Sequence, residues 1–442
     1  MSNVSRGNLD LTRPTTLERW LAYLETLHPK SIALGLDRVR DVASRLSLAL
    51  PGPVITVGGT NGKGSTCAML EAILRSSGYR VGLYTSPHLE RYNERVRIAG
   101  EFVSDAHLIE AFNAVEDARV VSATPLTYFE FGTLAALWLF SRAKLDVLVL
   151  EIGLGGRLDA VNLIDADVAV VTSVDLDHID YLGATREDIG REKAGIFRPG
   201  KPAICGERNP PASLVNYAAS ISARLLRIGR DFDFAAEGTQ WRYRGLGGER
   251  YGLPVPALRG DHQFANAAVA LTALDLLRNR VAVTAGAIRE GLVSVELAGR
   301  FQVLPGRPTI VLDVAHNPAA ARVLAASLAA MGFHRETYAV LGMYADKDIG
   351  GVIDATKARI DHWYVAGLPG ARRAPALMIV EEIRASGVEQ KAVHVFDSIA
   401  SAFRAARDRA SDADRIIVFG SFITVAAALA VTHPVQATLS DH

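Results

Sequence analysis

The chain of 442 residues is neutral, with 48 Lys+Arg against 48 Asp+Glu. It therefore has no overall basic field that would favour nucleic acid or an anionic membrane, and any bound anion must be held by a local site. Hydrophobic residues at 49% and charged residues at 22% are ordinary for a globular protein and exclude disorder as the main state.

Three features predict a cytoplasmic location. The two cysteines, Cys67 and Cys205, lie far apart and cannot build a disulfide framework or a zinc motif, which fits a reducing compartment. Residues 1–14 contain no apolar segment typical of a secretory signal. The longest apolar run, residues 416–431, is shorter than a membrane helix and is divided by Gly420-Ser421, so it predicts a strand, a turn and a helix.

The first half of the chain alternates short apolar runs with helical patterns. Predicted strands lie at residues 54–57, 81–84, 145–150 and 168–174, and predicted helices at residues 61–77 and 128–143. The run at 145–150 is almost continuously apolar, as in a sheet that is covered on both faces. This alternation is typical of an α/β domain with a mainly parallel sheet.

The second half predicts a smaller domain of similar class. Residues 230–258 are rich in Gly, Arg and aromatic side chains and predict strands and turns, and helices follow at 262–277 and up to about 293. Predicted strands then lie at 310–313, 338–341, 363–366, 393–396 and 416–419. We therefore predict two α/β domains with a ligand cleft between them. The first, at 1–298, is P-loop-type because of its glycine-rich segment at 57–66, and the second, at 299–442, is Rossmann-like.

The segment VGGTNGKGST, residues 57–66, is the strongest local signal. An apolar strand leads into a glycine-rich turn, Lys63 and hydroxyl side chains at the start of a helix. Such a turn lets backbone N–H groups converge on phosphate oxygens, and Lys63 would neutralise the terminal phosphates. The spacing departs from GxxxxGK[ST], because three residues separate Gly58 from Gly62 and Gly64 precedes Ser65. An ordinary glycine turn is the alternative.

Two candidate metal ligands follow predicted strands in the first domain. Ser86, in TSPHL, offers a hydroxyl, although Ser-Pro also begins ordinary turns. Glu151 directly follows a strand and could hold Mg²⁺ at the carboxyl edge of the sheet, or it could face water. The GLGGRL segment after Glu151 does not predict dinucleotide binding, because Leu158 stands where GxGxxG needs its third glycine.

An acidic cluster follows the strand predicted at 168–174. Asp175, Asp177, His178 and Asp180 would favour a cation there, or would form a solvated loop. Ligand chemistry alone favours Asp177 over His178 for Mg²⁺, because this cation prefers oxygen.

The next segment, TREDIGREKAGIF, predicts a helix with Thr185 as N-cap and Asp188 at the third position. Lys193 lies on this helix, and its residue type alone predicts a solvated surface lysine.

The second domain offers three further candidates. In DVAHNP the strand ends at Asp313, and Asn317 can cap a helix that begins with Pro318. Asp313 and His316 would then lie at the carboxyl end of that strand. Arg300, in GRFQ, is either a phosphate donor or a surface arginine. From the residues alone we predict an Mg²⁺-dependent nucleoside triphosphate enzyme, with kinase, ATPase and ligase all open.

A set of motifs in fixed order narrows this prediction. The chain contains GTNGKGS, YTSPHL, LTYFEFGTLAALWLF, EIGLGGRLDAVN, DHIDYLGAT, EKAGIFRPG, GDHQFANAA, GRFQ, DVAHNP and DKD, in that order. This set resembles the folylpolyglutamate synthase family of the Mur ligase superfamily, and within it the bacterial bifunctional members. The resemblance spans about residues 36–421 and accounts for the unusual spacing of the phosphate loop.

The resemblance implies an ATP-dependent ligase. ATP would phosphorylate a carboxylate, and the amine of L-glutamate would attack the acyl phosphate to form an amide. The implied substrates are dihydropteroate, reduced folates and L-glutamate, with no nucleic acid or membrane partner, and the implied state is a monomer. Three alternatives stay open: a synthase limited to folate polyglutamylation, a cell-wall Mur ligase, and a nucleotide-binding regulator without catalysis.

The resemblance also implies roles for matched residues. ATP would be bound by Gly59, Thr60, Asn61, Gly62, Lys63, Gly64, Ser65, Asn266, Arg300 and Asp313. One Mg²⁺ would be held by Ser86 and Glu151 and a second by Glu151 and His178, which overrides the preference for Asp177. Lys193 would carry a carbamate and act with Lys63, Glu151 and His178 in catalysis. Phe129, Asp159 and Ala160 would contact the pterin, and His316 and Ser421 would lie near the glutamate.

Overall fold

The structure is a computed structural model that describes residues 13–370 and 373–432. The prediction about a secretory signal therefore concerns residues that lie mostly outside the described ranges. Within those ranges, no helix has both the length and the apolar character needed to cross a membrane.

The first part of the chain alternates strands and helices as predicted. Its helices are α1 (Leu17–Thr26), α2 (Asp37–Ala43), α3 (Lys63–Ser76), α4 (Asp105–Val120), α5 (Tyr128–Arg142), α6 (Ile179–Leu182), α7 (Arg186–Ala194), α8 (Ala212–Ser220), α9 (His262–Leu277) and α10 (Ala285–Ser294). Its strands are β1 (Val54–Gly58), β2 (Val81–Tyr84), β3 (Val96–Ile98), β4 (Glu101–Phe102), β5 (Val147–Glu151), β6 (Val168–Val171), β7 (Pro202–Cys205), β8 (Arg224–Arg227), β9 (Asp233–Glu237), β10 (Gln240–Gly245) and β11 (Gly248–Pro254).

Eight of these strands form one twisted sheet in the order β4-β3-β2-β5-β1-β6-β7-β8. Six neighbouring strands run parallel to one another, namely β2, β5, β1, β6, β7 and β8. Strands β3 and β4 are antiparallel to their neighbours and form one edge of the sheet. Alternate residues of β5 enter separate cores on the two faces, which is why its sequence is continuously apolar. In the register of the sheet, Val57 lies beside Glu151 and Gly58 beside Val171. The segments that follow β1, β5 and β6 therefore leave the sheet at the same edge.

Residues 233–254 confirm the predicted strands and turns. They form a separate antiparallel sheet in the order β11-β10-β9. Trp241 and Tyr243 are fully buried, and the Trp241 ring centroid lies 5.8 Å from that of Phe264 on α9. The Tyr243 hydroxyl donates to Asp275 Oδ2 at 2.9 Å, which ties the small sheet to the same helix.

The second part of the chain builds the smaller sheet. Its strands are β12 (Gln302–Leu304), β13 (Thr309–Leu312), β14 (Thr337–Leu341), β15 (His362–Ala366), β16 (Val393–Phe396) and β17 (Arg415–Phe419). Its helices are α11 (Pro318–Ala330), α12 (Ile349–Thr356), α13 (Ala376–Ala385), α14 (Ile399–Arg409) and α15 (Phe422–Thr432). The order is β12-β13-β17-β14-β15-β16, and only β12 among these described strands is antiparallel to its neighbour.

Two expectations about this part can be compared with the structure. The apolar run at 416–431 is β17, Gly420-Ser421 and α15, which confirms the prediction of strand, turn and helix. Helix α10, the last helix of the first part, ends at Ser294, and the first strand of the smaller sheet, β12, begins at Gln302. The predicted boundary between 298 and 299 lies between these two elements. Whether residues 1–298 and 299–442 are independent folding units stays a prediction.

Two predicted element ends, those of β6 and α3, were wrong for one shared reason. β6 stops at Val171 rather than at 174, and α3 begins at Lys63 rather than at 61. Thr172 Oγ1 donates to the carbonyl oxygen of Asn61 at 2.6 Å, and the Asn61 N–H donates to Ser173 Oγ at 3.0 Å. These two segments bond to each other instead of continuing the sheet and the helix.

Candidate active site

A cavity of about 1190 Å³ lies between the two sheets and is lined by both parts of the chain. Every residue assigned a role in the sequence analysis lines it. These are Gly59, Thr60, Asn61, Gly62, Lys63, Gly64, Ser65, Ser86, Phe129, Glu151, Asp159, Ala160, His178, Lys193, Asn266, Arg300, Asp313, His316 and Ser421. The fold thus brings residues from ten or more separate segments into one space large enough for a nucleotide and a second ligand.

The phosphate loop at 58–65 needs glycine at two positions. Gly62 has φ of 85°, and a Cβ there would lie 2.5 Å from Asn266 Oδ1. Gly59 has φ of 144°, and a Cβ there would lie 1.9 Å from Thr172 Oγ1. Both positions therefore combine a left-handed backbone with a close neighbour, which only glycine tolerates.

Lys63 begins α3 and folds back over this loop. Its Nζ donates to the carbonyl oxygens of Gly59 at 3.1 Å and Thr60 at 3.3 Å. The ammonium group thus lies beside the glycine turn and the amino-terminal end of α3. This is the arrangement of a cation and backbone N–H groups that binds phosphate in related turns.

Glu151 is buried at the end of β5, so the alternative of a water-facing carboxylate is wrong. Its Oε2 accepts the backbone N–H of Ser86 at 3.1 Å, which brings the two predicted metal ligands together. Burial raises the pKa of Glu151, and the charge of Lys63 acts against that rise. A carboxylate and a hydroxyl are hard oxygen donors of the kind that Mg²⁺ prefers.

The acidic segment after β6 is divided between cavity and solvent. Asp180 is exposed, whereas Asp177 is largely buried, so the prediction of a fully solvated loop is wrong for Asp177. Asp177 Oδ1 lies 2.7 Å from Lys347 Nζ, and its Oδ2 lies 3.5 Å from His316 Nε2. Burial by itself would raise the pKa of Asp177, but the contacts with His316 and Lys347 hold it well below its usual range.

His178 has a left-handed backbone, with φ of 52° and ψ of 42°. This conformation is uncommon for a residue with a side chain and concentrates at functional sites. Its Nε2 lies 3.2 Å from Lys347 Nζ, and burial lowers the pKa of the imidazole to about 4. Among the described residues, no group of three or more His, Cys, Asp and Glu side chains is arranged to hold a metal ion by itself.

Lys193 is buried on α7, so its interpretation as a surface lysine was wrong. The helix packs tightly against the segment after β5, where a Cβ on Gly156 would lie 3.0 Å from the Lys193 Cα. The neighbouring Glu192 takes the outward position and pairs with Arg157 at 2.8 Å. Burial, followed by the nearby charge of Lys63, lowers the pKa of Lys193 to about 7.

The second part of the chain contributes a loop around Asp313. Its carboxylate accepts the N–H groups of Phe301 at 2.8 Å and Ala315 at 2.7 Å. This holds Arg300 at the cavity, where the guanidinium carbon lies 4.9 Å from the Phe422 ring centroid. Asn317 caps α11 as predicted, and its side-chain amide donates to Asn61 Oδ1 at 3.2 Å. The phosphate loop and the second sheet are therefore in direct contact.

The predicted pterin side forms the aromatic end of the cavity, around Phe129. The Phe129 and Tyr84 ring centroids are 6.2 Å apart. Asp159 is buried and accepts the N–H groups of Leu154 at 2.8 Å and Val161 at 3.0 Å. Burial raises the pKa of Asp159 to about 7.

Three residues of the cavity were not identified from the sequence. Lys347 belongs to the DKD motif, but nothing local predicts that it pairs with Asp177 across the cavity. His262 belongs to the GDHQFANAA motif, from which only Asn266 received a role, and Arg95 lies in a segment whose pattern predicts only ordinary secondary structure. Their positions depend on how separate segments pack.

Comparison with known proteins agrees with this geometry. The Mur ligase middle domain matches residues 57–274, and the Mur ligase glutamate ligase domain matches residues 299–422. The dihydrofolate synthase/folylpolyglutamate synthase of Escherichia coli (strain K12) is 47% identical over 411 residues, covering 93% of this chain and 94% of that protein.

Solved structures extend the likeness to the fold. E. coli FolC in complex with DHPP and ADP matches with a TM-score of 0.89 and 46% identity, covering 95% of this chain and 98% of that one. A bifunctional folylpolyglutamate synthase/dihydrofolate synthase with Mn, AMPPNP and L-glutamate bound matches with a TM-score of 0.87 and 47% identity, covering 95% and 98%. This chain therefore belongs to the dihydrofolate synthase/folylpolyglutamate synthase family of Mur ligases.

Proposed function

We propose that this protein is an ATP-dependent amide ligase that adds L-glutamate to dihydropteroate and to reduced folates. The observation that carries the proposal is the single cavity in which a phosphate loop, a buried strand-end carboxylate and an aromatic end meet the second domain. A relative at 47% identity over nearly the whole chain has this pair of activities in its name.

The reaction takes place in two steps. A carboxylate oxygen of the folate or pteroate attacks the γ-phosphorus of ATP, and the bond to ADP breaks. The amine of L-glutamate then attacks the carbonyl carbon of the acyl phosphate, loses a proton and expels phosphate, which leaves an amide. Enclosure between the two sheets keeps water from the acyl phosphate while the amine is bound.

The chain's own residues support the first step. Lys63 and the N–H groups of the phosphate loop would hold the phosphates of ATP, and Asn266, Arg300 and Asp313 would surround the rest of the nucleotide. Phe129, Asp159 and Ala160 would orient the pterin, and His316 and Ser421 would lie near the glutamate. We also propose that the protein acts as a monomer, as its family resemblance implies.

The site also fits a divalent cation. Ser86 and Glu151 would hold one Mg²⁺ with the phosphates of ATP, and Glu151 and His178 a second. When bound, the metal would neutralise charge on the transferring phosphoryl group. The protein's part is to keep the Glu151 carboxylate oriented, which the Ser86 N–H does at 3.1 Å.

Lys193 has the environment that a carbamate requires. Its amine must be unprotonated to attack CO₂, forming an N–C bond and releasing a proton, and a pKa of about 7 makes this form abundant at neutral pH. The product is an anion within range of the charge of Lys63, in place of the buried ammonium of Lys193.

The Glu151→Gln variant should bind Mn²⁺ at least about 10-fold more weakly in the presence of ADP, as loss of a metal-binding carboxylate would cause. Electron paramagnetic resonance of free Mn²⁺ measures this without turnover. Glu110→Gln, at an exposed position on α4, is the control and should keep the affinity of the unmodified protein. An unchanged affinity in Glu151→Gln would remove this residue from the metal site.

Product mass spectrometry tests the function directly. The protein is incubated with ATP, Mg²⁺ and L-glutamate, and separately with dihydropteroate and with tetrahydrofolate. We expect a glutamyl adduct on both. An adduct on tetrahydrofolate alone would establish the monofunctional alternative, and an adduct on neither would refute the proposed ligase.

A further inference from the structure

Arg95 is a buried cation that the roles above do not use. It ends the short 3₁₀ helix Tyr92–Arg95 before β3, and only 9% of the residue is exposed. The guanidinium carbon lies 5.2 Å from the ring centroid of Tyr92 and 5.6 Å from that of Tyr128. Within residues 13–370 and 373–432, no carboxylate lies within 4.0 Å of it and its two terminal nitrogens have no hydrogen-bond partner.

An arginine does not lose its proton in proteins, so this charge stays in place although burial is unfavourable. The neighbouring carboxylate, Glu94, forms no direct ion pair with it, because its oxygens accept the backbone N–H groups of Leu89, Glu90 and Arg91 at 2.6–2.7 Å. The two tyrosine rings offer only their π faces, which hold a cation without providing an anion.

His88 fixes the direction of the guanidinium. Arg95 Nε donates to His88 Nδ1 at 2.8 Å. Nε is thereby occupied, and the two terminal nitrogens remain for a ligand in the cavity, which Arg95 and His88 both line.

The position of Arg95 indicates which anion it would meet. On one side His88 is two residues from Ser86, whose N–H is bonded to Glu151 at the phosphate end of the cavity. On the other side the guanidinium contacts Tyr128, next to Phe129 at the aromatic end. A substrate that lies with its pterin at Phe129 and reacts at the ATP phosphates would have its carboxylate in the same cavity as the Arg95 guanidinium.

We propose that Arg95 binds the carboxylate that becomes phosphorylated and holds it in line with the phosphate end of the cavity. The group recognised is the benzoate carboxylate of dihydropteroate or the terminal carboxylate of a folate glutamate chain. This inference rests on the proposed function and adds a binding residue to it. The parallel donors of a guanidinium match the two oxygens of a carboxylate, which a lysine in this place would not do.

The test compares an acid with its neutral counterpart. Binding of dihydropteroate and of its carboxamide is measured by calorimetry without ATP, so that no turnover is needed. The unmodified protein should prefer the acid by about 10- to 100-fold, the range for hydrogen bonds to a charged group. The Arg95→Gln variant should bind the two compounds equally, and Arg95→Lys should keep only part of the preference.

Arg91→Gln is the matched control, because its side chain is 71% exposed on the same turn and forms an ion pair with Asp105. It should keep the full preference for the acid. If Arg95→Gln lowers the affinity for both compounds equally, Arg95 has a structural role and the proposal is overturned. The proposal is also overturned if the unmodified protein binds the two compounds with the same affinity. If Arg95→Gln fails to fold by circular dichroism, an undiminished preference in Arg95→Lys overturns it instead. Binding of neither compound to the unmodified protein would refute the proposed function together with this inference.

Discussion

The Lys63→Ala variant should lose at least about 10²-fold in turnover, the scale for removing one electrostatic group from the transition state. The Lys63 ammonium lies over the phosphate loop, bonded only to the carbonyl oxygens of Gly59 and Thr60 among the described residues. No carboxylate pairs with it there, so its charge is available to the phosphates. Because charge on the transferring group grows during phosphoryl transfer, the loss should fall mainly on kcat.

Steady-state kinetics with ATP as the varied substrate measures this effect. Lys144→Ala removes an exposed lysine outside the cavity and should leave kcat and KM unchanged. A Lys63→Ala enzyme that turns over within about tenfold of the unmodified protein would rule out the proposed role, since the smallest expected loss is about 10²-fold.

The Lys193→Ala variant should also lose at least about 10²-fold in turnover, because it would remove the proposed carbamate anion from the phosphate site. If the anion is a carbamate, a small carboxylic acid such as acetate can enter the space left by the side chain and restore part of the activity. Lys193→Arg should stay inactive with acetate, because its side chain fills that space with a cation.

Carbon-13 NMR of protein equilibrated with labelled bicarbonate gives an independent readout. We expect a carbamate signal that disappears in Lys193→Ala. Because only the neutral amine reacts with CO₂ and the pKa of Lys193 lies at about 7, the signal should weaken as the pH falls below that value. Fully active protein without this signal would exclude the carbamate and leave Lys193 as a buried ammonium or amine.

Much of the fold could be predicted from local patterns. Strand β5 was evident because a strand buried on both faces must be apolar throughout. The amino-terminal ends of α7 and α11 were evident because the side chains of Thr185 and Asn317 accept backbone N–H groups three residues later. These features depend on atoms that are close in sequence, so a sequence pattern contains most of their cause.

Only part of the candidate active site could be predicted from local sequence patterns. The glycine turn and the strand-end carboxylate predicted phosphate and Mg²⁺ binding, and the ordered motifs added the family and its residue roles. The burial of Lys193 could not be derived from its own helix, because a charged helix of this composition is usually exposed. The pairing of Asp177 with Lys347 joins residues 170 positions apart. No local pattern encodes such a contact.

The sequence by itself determined the fold class, the phosphate loop and the family, because each depends on residue type at short spacing. Only the tertiary structure decided which charged groups are desolvated and what they face. It buried Lys193 within range of the charge of Lys63, joined Asp177 to Lys347, and left Arg95 buried with no carboxylate within 4.0 Å among the described residues. The physical reason is that desolvation and ion pairing depend on atoms brought together from distant parts of the chain.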